Sequence, residues 1–376
     1  MAVLRFGRAG DVKAFQLSGW PYRLPVVVEE TGGLDHTDKC IVIDLKDLDF
    51  PFSDVAFEDG HDIRVTDSDG ETIIPCYRAI FSKSNGIGVL IVKLPSLKAY
   101  EKKQIYIYYG NPDAEPYNDT SLFDFFDDFE DGDYTDKWVV EEGEFAEENG
   151  VMKQVSDDPD QSNSGTQRIT SIFEKNYQGK FIMVIDQKSS PTSESWETDT
   201  YGGMDEDAVI DDNPRNMKYK MWTNPHGTYP HLSICGVGDS NGIETGRWYR
   251  GIAWVQAEHG AKGWIYRLDD YYECYRAQRN TADMSKDAPI KWGLHSDYPT
   301  EWDNVGCAEA VVPEPKIYSG EAPTPPPPTE DVYTNVVTVT WGAAVPTEMF
   351  FNLIWLVLVL LIMFMVLSII ASVIRS

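Results

Sequence analysis

The sequence predicts an all-β protein: two β-sandwich (jelly-roll) domains in tandem, a proline-rich stalk and one C-terminal transmembrane helix. Three observations indicate this class. Short runs of β-branched and aromatic residues alternate with turn residues over most of the chain, prolines cluster after residue 322, and the C-terminus is strongly apolar. With 376 residues, of which 42% are hydrophobic, the chain is long enough for more than one core.

The predicted boundaries follow these shifts in composition. They divide the chain into an N-terminal β-sandwich at 1–117, a second jelly-roll domain at 118–320, a proline-rich linker at 321–331, a membrane-proximal strand and stalk at 332–349, and a transmembrane helix at 350–374.

The charge of the chain limits its partners. It has 61 acidic residues against 32 basic ones, which gives a net charge of −29. A surface of this sign repels phosphate backbones, so nucleic-acid binding is excluded as the main function.

Strand-like segments fill the first part of the chain. They are Leu24–Glu29, Cys40–Asp44, Asp62–Thr66, Val89–Lys93 and Ile105–Tyr109. The turn sequence Asp67-Ser-Asp-Gly follows the third of them, and Gly70 can adopt the positive φ that such a turn requires. Strands at this spacing, without long helices, predict a β-sandwich.

Three motifs in this region occur in a fixed order. WPYRLPVVV begins at Trp20, DGHDIRVTDSDG at Asp59 and IYIYYGNP at Ile105. Together they resemble an uncharacterised β-sandwich module of archaeal and bacterial surface proteins. The resemblance implies an architecture and a location at the surface, but no reaction.

The next region resembles a concanavalin-like (laminin G-like) domain. FDDFEDG from Phe126, followed by Trp138, is similar to the start of such domains, and GRWYR from Gly246 and GWIYRLDD from Gly263 are similar to their central paired strands. KWGL from Lys291 and WDNV from Trp302 are similar to the closing strands. The resemblance implies a jelly roll of two antiparallel sheets.

The C-terminal part of the chain predicts a stalk and an anchor. Ala322–Glu330 is rich in proline and favours a stiff polyproline spacer, and VYTNVVTVTW at 332–341 alternates like one further strand. Leu353–Ile374 is an apolar run of 22 residues, about 33 Å long as a helix, which is enough to cross a bilayer. We expect a lipid bilayer to be the partner of 350–374.

The two ends of the chain indicate how the predicted anchor is oriented and inserted. Arg375 favours a cytoplasmic C-terminus, and the first ten residues lack the apolar stretch of a signal peptide. Either a signal peptide is absent from the numbering, or the chain is inserted by its tail. A virus that assembles around an internal membrane would combine tail insertion with outward display.

Aromatic residues in loop-like surroundings indicate a glycan contact. We assign this role to Trp196, Tyr201, Trp222 and Tyr229, which lie near amide and carboxylate side chains. Packing beneath long loops is the competing interpretation.

Acidic residues offer two further possibilities. Asp205, Asp207, Asp211 and Asp212 could bind a structural calcium ion, the one cofactor that the sequence suggests. Asp205 and Asp207 also alternate as the carboxylates of a glycosidase would, but Val209 interrupts the pattern. A plain acidic loop is the simpler interpretation.

Cysteine and histidine residues indicate no catalytic centre. The five cysteines contain no CxxC pair and predict isolated buried thiols, with one or two disulfides as the alternative. The six histidines occur in no pattern typical of a nucleophilic triad.

We therefore predict a non-enzymatic, membrane-anchored protein displayed on the surface of an archaeal cell or of the virion of a membrane-containing archaeal virus. Its role would be attachment, as an adhesin or viral spike, or envelope structure. Its expected partners are a surface glycan or host receptor, further copies of the chain, and envelope or capsid neighbours. A membrane-tethered polysaccharide-degrading enzyme and an intracellular tail-anchored scaffold are the alternatives.

Overall fold

The structure is a computed structural model that describes residues 17–155, 167–189, 200–205, 219–224, 231–235, 237–239, 243–256, 260–279, 289–296 and 299–320. Within these residues no helix is long and apolar enough to span a bilayer. The predicted linker, stalk and transmembrane helix at 321–374 lie outside the described residues.

The described chain is built from β-strands joined by turns and short 3-10 helices. The first seven strands are β1 (Tyr22–Glu29), β2 (His36–Asp44), β3 (Arg64–Thr66), β4 (Ile73–Ile74), β5 (Cys76–Ser82), β6 (Ile87–Leu97) and β7 (Lys102–Tyr109). The next strands are β8 (Phe125–Asp127), β9 (Trp138–Glu142), β10 (Phe145–Glu147), β11 (Met152–Gln154), β12 (Arg168–Ser171), β13 (Lys180–Lys188), β14 (Thr200–Asp205), β15 (Tyr219–Asn224) and β16 (His231–Ile234). The remaining strands are β17 (Val237–Asp239), β18 (Trp248–Gln256), β19 (Gly260–Arg267), β20 (Tyr272–Arg279), β21 (Lys291–Ser296), β22 (Thr300–Glu309) and β23 (Lys316–Ser319). The 3-10 helices cover Leu45–Leu48, Phe52–Asp54, Thr120–Leu122 and Tyr134–Asp136.

These strands form four sheets. Sheet 1 has the order β23-β1-β7-β3-β4, and sheet 2 has the order β2-β6-β5. Sheet 3 has the order β10-β11-β22-β13-β18-β19-β20, with β8 also paired to β22, and sheet 4 has the order β17-β16-β15-β14-β21-β12-β9. The prediction of an all-β fold of sandwiched sheets is confirmed, and the expected central pair is β18 with β19.

Three apolar layers hold the four sheets together in one stack. Val26 and Ile107 of sheet 1 pack with Ile43 of sheet 2. Phe181 of sheet 3 packs with Trp292 of sheet 4. These two layers are the cores of the two sandwiches that the sequence predicts.

A third layer joins the two sandwiches to each other. Val42 and Ile91 of sheet 2 pack with Ile252, Trp254 and Trp264 of sheet 3. Successive side chains of a strand point to opposite faces, so a strand between two cores must be apolar at every position. The run VLIV in β6 satisfies this requirement, since its four residues are all buried.

Hydrogen bonds cross the same interface. Trp264 Nε1 donates to Asp44 Oδ2 at 2.9 Å, and Arg250 Nη1 donates to the carbonyl oxygen of Ala79 at 2.6 Å. The two sandwiches therefore share both a core and polar contacts.

The last described strand returns to the first sandwich. β23 pairs antiparallel with β1, from Val26 with Ser319 to Glu29 with Lys316. This strand lies within 118–320, the range that the sequence predicts for the second domain, and its ladder hydrogen bonds join it to sheet 1.

Candidate functional site

The face of sheet 4 that points away from sheet 3 carries one continuous row of polar and aromatic side chains, three of which, Tyr201, Ser233 and His295, are buried. Strand register pairs Arg168 with His295, His295 with Tyr201, Tyr201 with Trp222, and Trp222 with Ser233. Residues paired in this way point to the same face, so these five residues form what we call the cross-strand row. It spans five strands, or about 19 Å at the usual strand spacing.

An aromatic pair lies at the centre of the cross-strand row. The rings of Tyr201 and Trp222 stack with their centroids 5.7 Å apart and their planes at 24°. Lys220 Nζ lies 5.4 Å from the centre of the Tyr201 ring and 5.7 Å from that of Trp222. Tyr201 is 1% exposed, whereas Trp222 and Lys220 are only partly buried. A ligand would therefore meet Trp222 and Lys220 first, with Tyr201 as their support.

Alternation along the strands explains why these side chains point away from the core that sheets 3 and 4 share. In β15 the residues Tyr219 and Met221 are buried in the core beneath sheet 4, and Lys220 and Trp222 occupy the alternate positions. In β14 the core residue is Met204, which places Tyr201 on the opposite face.

A buried amide of sheet 3 fixes the two strands beneath the aromatic pair. Gln187 Nε2 donates to the carbonyl oxygen of Thr200 at 2.7 Å and to Thr223 Oγ1 at 2.8 Å. Thr200 and Thr223 flank Tyr201 and Trp222 in sequence. Gln187 therefore holds the register on which the stacked pair depends.

The structure brings together two of the four predicted glycan-contacting residues, Tyr201 and Trp222. They lie on strands rather than in the loop-like surroundings that the sequence indicates. Trp196 and Tyr229 lie outside the described residues.

The predicted calcium ligands are mostly outside the described part of the chain. Asp205 ends β14, and only its backbone is described; Asp207, Asp211 and Asp212 lie outside the described residues. Within the described ranges, no three histidine, cysteine, aspartate or glutamate side chains are grouped as metal ligands. The calcium site thus remains a prediction.

Four members of the site were not predicted from the sequence: Lys220, Ser233, His295 and Arg168. Lys220 could have been found, because the segment YKMW places it two residues from Trp222 and hence on the same face. His295 and Arg168 are distant in sequence, and only strand pairing brings them into the row.

A second polar cluster lies where the two sandwiches meet. Arg250 binds Asp186 through both Nε, at 2.5 Å, and Nη2. Asn304 Nδ2 donates to Asp186 Oδ2 at 2.9 Å and to Asp303 Oδ2 at 2.7 Å. Tyr77 of the first sandwich donates to Asn304 Oδ1 at 3.4 Å.

Burial and the negative charge of Asp186 raise the pKa of Asp303 to about 7. Two neighbouring carboxylates in unlike environments can act as an acid and base pair in glycosidases. Here, however, Asp186 is 2% exposed and both of its carboxylate oxygens are bound by the Arg250 guanidinium. Through Tyr77 and the carbonyl oxygen of Ala79, the cluster joins the second sandwich to the first.

Part of the chain matches a known family model. Residues 59–141 match the family model described as "Domain of unknown function (DUF2341)". This segment includes the motif at Asp59, the motif at Ile105 and the start of the second sandwich. No curated protein shows a significant match to the chain.

Solved structures resemble the chain at low identity. A peanut lectin complex has 6% identity and a TM-score of 0.33, over 46% of this chain and 92% of the lectin. A protein of unknown function from Shewanella oneidensis MR-1 has 11% identity and a TM-score of 0.27, over 45% of this chain and 75% of its own. The alginate lyase Aly36B has 10% identity and a TM-score of 0.27, over 44% of this chain and 83% of the lyase.

Proposed function

We propose that this chain is a surface-displayed recognition protein that binds glycans through the cross-strand row. The observation that supports the proposal is the stacked pair of Tyr201 and Trp222, with Lys220 beside both rings. Aromatic rings bind the apolar faces of sugars, and neighbouring polar groups bind the hydroxyls. The polar group beside the pair that is only partly buried is Lys220, since Ser233 and His295 continue the row at 4% and 2% exposed.

Display would rely on the C-terminal part of the chain. The apolar run Leu353–Ile374 is long enough to anchor the protein in a bilayer, and the prolines of Ala322–Glu330 would hold the sandwiches away from it. Clustered anchors, or a homo-oligomer, would add avidity to a weak single contact. An archaeal cell or the virion of an archaeal virus is the proposed location.

The proposed role is non-enzymatic. The carboxylate pair Asp186 and Asp303 is occupied by Arg250 and Asn304. Attachment requires only contact area and a fixed orientation, which the shared core of the sandwiches supplies.

The test is a glycan-binding measurement on the full-length chain in mild detergent, against immobilised neutral and acidic polysaccharides. We expect Trp222→Ala to weaken binding about tenfold or more, the usual effect of losing an aromatic contact. The matched control is Trp248→Ala. Trp248 is also partly buried, and Lys188 Nζ lies 5.9 Å from the centre of its ring, but Trp248 belongs to sheet 3.

Equal losses in both variants, or no binding by the natural chain, would contradict the proposed site. Turnover of a bound polysaccharide would favour the enzyme alternative. Protection of the sandwiches from protease on intact cells or virions would favour the intracellular scaffold.

A further inference from the structure

We infer that Asn118 carries an N-linked glycan, which is transferred to it from a lipid-linked oligosaccharide. The inference rests on the surface display in the proposed function, but it does not involve the cross-strand row. Asn118-Asp-Thr120 is an acceptor sequence of the form Asn-X-Ser/Thr in which X is not proline, and no other asparagine of the chain begins one. A glycan can remain there in the folded chain only if the asparagine is at the surface and its side-chain nitrogen is unoccupied.

Asn118 meets the first condition, because it lies at the surface in the connection between the two sandwiches. The residue is exposed, and it precedes the 3-10 helix Thr120–Leu122 on the path from β7 to β8. The connection runs beside β5, where Asp119 N donates to the carbonyl oxygen of Cys76 at 3.0 Å. A fixed and exposed segment of this kind accommodates a glycan without unfolding either sandwich.

The side-chain amide of Asn118 meets the second condition. The backbone N–H of Arg78 in β5 donates to Asn118 Oδ1 at 2.6 Å, which identifies the oxygen of the amide, because only the oxygen can accept. Within the part of the chain that the structure describes, no group accepts a hydrogen bond from Asn118 Nδ2. An N-linked glycan is attached to this nitrogen. The modification therefore leaves the hydrogen bond from Arg78 intact.

The transfer exchanges one bond at the first sugar of the glycan for another. Asn118 Nδ2 forms a bond to the anomeric carbon and loses one proton, while the bond from that carbon to the phosphate of the lipid-linked donor breaks. The lipid phosphate leaves with the electron pair of the broken bond. Thr120, which is partly accessible, supplies the hydroxyl that the acceptor sequence requires.

Glycosylation of Asn118 would also select between the two modes of insertion that the sequence leaves open. N-linked glycans belong to surface loops of secreted chains, so the modification requires that the sandwiches cross the membrane. Insertion by the tail would instead leave them in the cytosol, away from the glycan donor. The inference therefore favours translocation of the sandwiches.

The experiment is mass spectrometry of the full-length chain, purified from the cells or virions that carry it. We expect the peptide that contains Asn118 to exceed its sequence mass by at least one sugar residue, and chemical deglycosylation to remove the excess. Asn118→Gln, expressed in the same host, should lose the excess mass. Thr120→Ala should lose it as well, although it leaves Asn118 and its bond to Arg78 in place, whereas Thr120→Ser should keep it.

Asn85→Gln is the matched control. Asn85 is also exposed, but it is followed by Gly86 and Ile87 and so begins no acceptor sequence. We expect this variant to keep the glycan at Asn118, and the peptide that contains Asn85 to have its sequence mass in the natural chain. Circular dichroism of each variant checks that it is folded.

The outcomes separate the inference from the proposed function. An unmodified Asn118, in sandwiches that protease cleaves on intact cells or virions, would overturn the inference and retain surface display. An unmodified Asn118 in sandwiches that are protected from protease would overturn both. A glycan that persists in Thr120→Ala, or one attached at Asn85, would overturn the assignment to the acceptor sequence.

Discussion

At the scale of single residues, Asp303 links protonation to the junction of the sandwiches. Its pKa is raised to about 7 from the ordinary value of 3.8, because the carboxyl group is buried and lies beside Asp186. Between these two pH values the folded chain holds a proton that the unfolded chain has lost. The free energy of unfolding therefore falls as the pH rises through this interval, and the loss is complete above pH 7.

The variant Asp303→Asn should remove this pH dependence. Between pH 5 and pH 8 the natural chain should lose about 2 kcal/mol in its free energy of unfolding. An asparagine cannot ionise, so the variant should not lose this amount, and its free energy of unfolding should rise by the same amount relative to the natural chain. Urea unfolding followed by circular dichroism at both pH values measures the difference. Asp113→Asn, at an exposed residue, should show no such change, and an equal change in both variants would refute the assignment.

The cysteine residues lead to a second prediction at this scale. All five are free in the structure; Cys40, Cys76, Cys235 and Cys307 are buried, and burial raises the pKa of each of these four thiols. This agrees with the interpretation of isolated thiols. We expect a reducing agent to leave the melting temperature unchanged, and alkylation after unfolding without reductant to modify five thiols. Any disulfide found by mass spectrometry would contradict this expectation.

At the scale of single elements, β14 is fitted closely against sheet 3. Gly202 faces the core, and a Cβ at this position would collide with Ile185 Cδ1 and lie 3.1 Å from Gln187 Oε1. The cross-strand row on the other face of β14 depends on this close packing, because Gln187 of sheet 3 donates hydrogen bonds to both β14 and β15.

The variant Gly202→Ala should therefore be destabilising. Overpacking of a filled core costs about 1–3 kcal/mol, and we expect a value near 2 kcal/mol from urea unfolding. The control is Val139→Ala in β9, because Val139 is 46% exposed and should contribute little. A cost below about 0.5 kcal/mol for Gly202→Ala would show that β14 can move away without loss.

At the scale of the whole molecule, the shared core makes the two sandwiches one folding unit. Sheet 2 has a core on each face, and β23 returns from the second sandwich to pair with β1. Neither sandwich can unfold without exposing apolar surface of the other.

We therefore expect a single cooperative thermal transition for residues 17–320, measured by calorimetry on the full-length chain. Ile91→Ala, in the layer between the sandwiches, should destabilise the whole unit by about 3 kcal/mol and lower its one melting temperature. Ile172→Ala, at a residue that is 56% exposed, is the control. Two separate transitions, of which Ile91→Ala shifts only one, would show that the sandwiches fold independently.

The sequence by itself determined the all-β class, several strand positions and both members of the aromatic pair, Tyr201 and Trp222. Alternation and β-branched runs are local, so Cys40–Asp44 and Ile105–Tyr109 predict strands without reference to the rest of the chain. Trp222 and Tyr201 were selected as aromatic residues in loop-like surroundings, and the alternation of YKMW could have added Lys220.

Only the tertiary structure decided what lies opposite each strand. The continuous apolar run of β6 predicts burial on both faces, but it does not indicate which sheet covers the second face. The pairing of Tyr201 with both His295 and Trp222, and of Asp186 with Arg250, joins positions far apart in sequence. Strand register and sheet stacking are set by the summed packing of many residues, and no short segment of the chain contains that information.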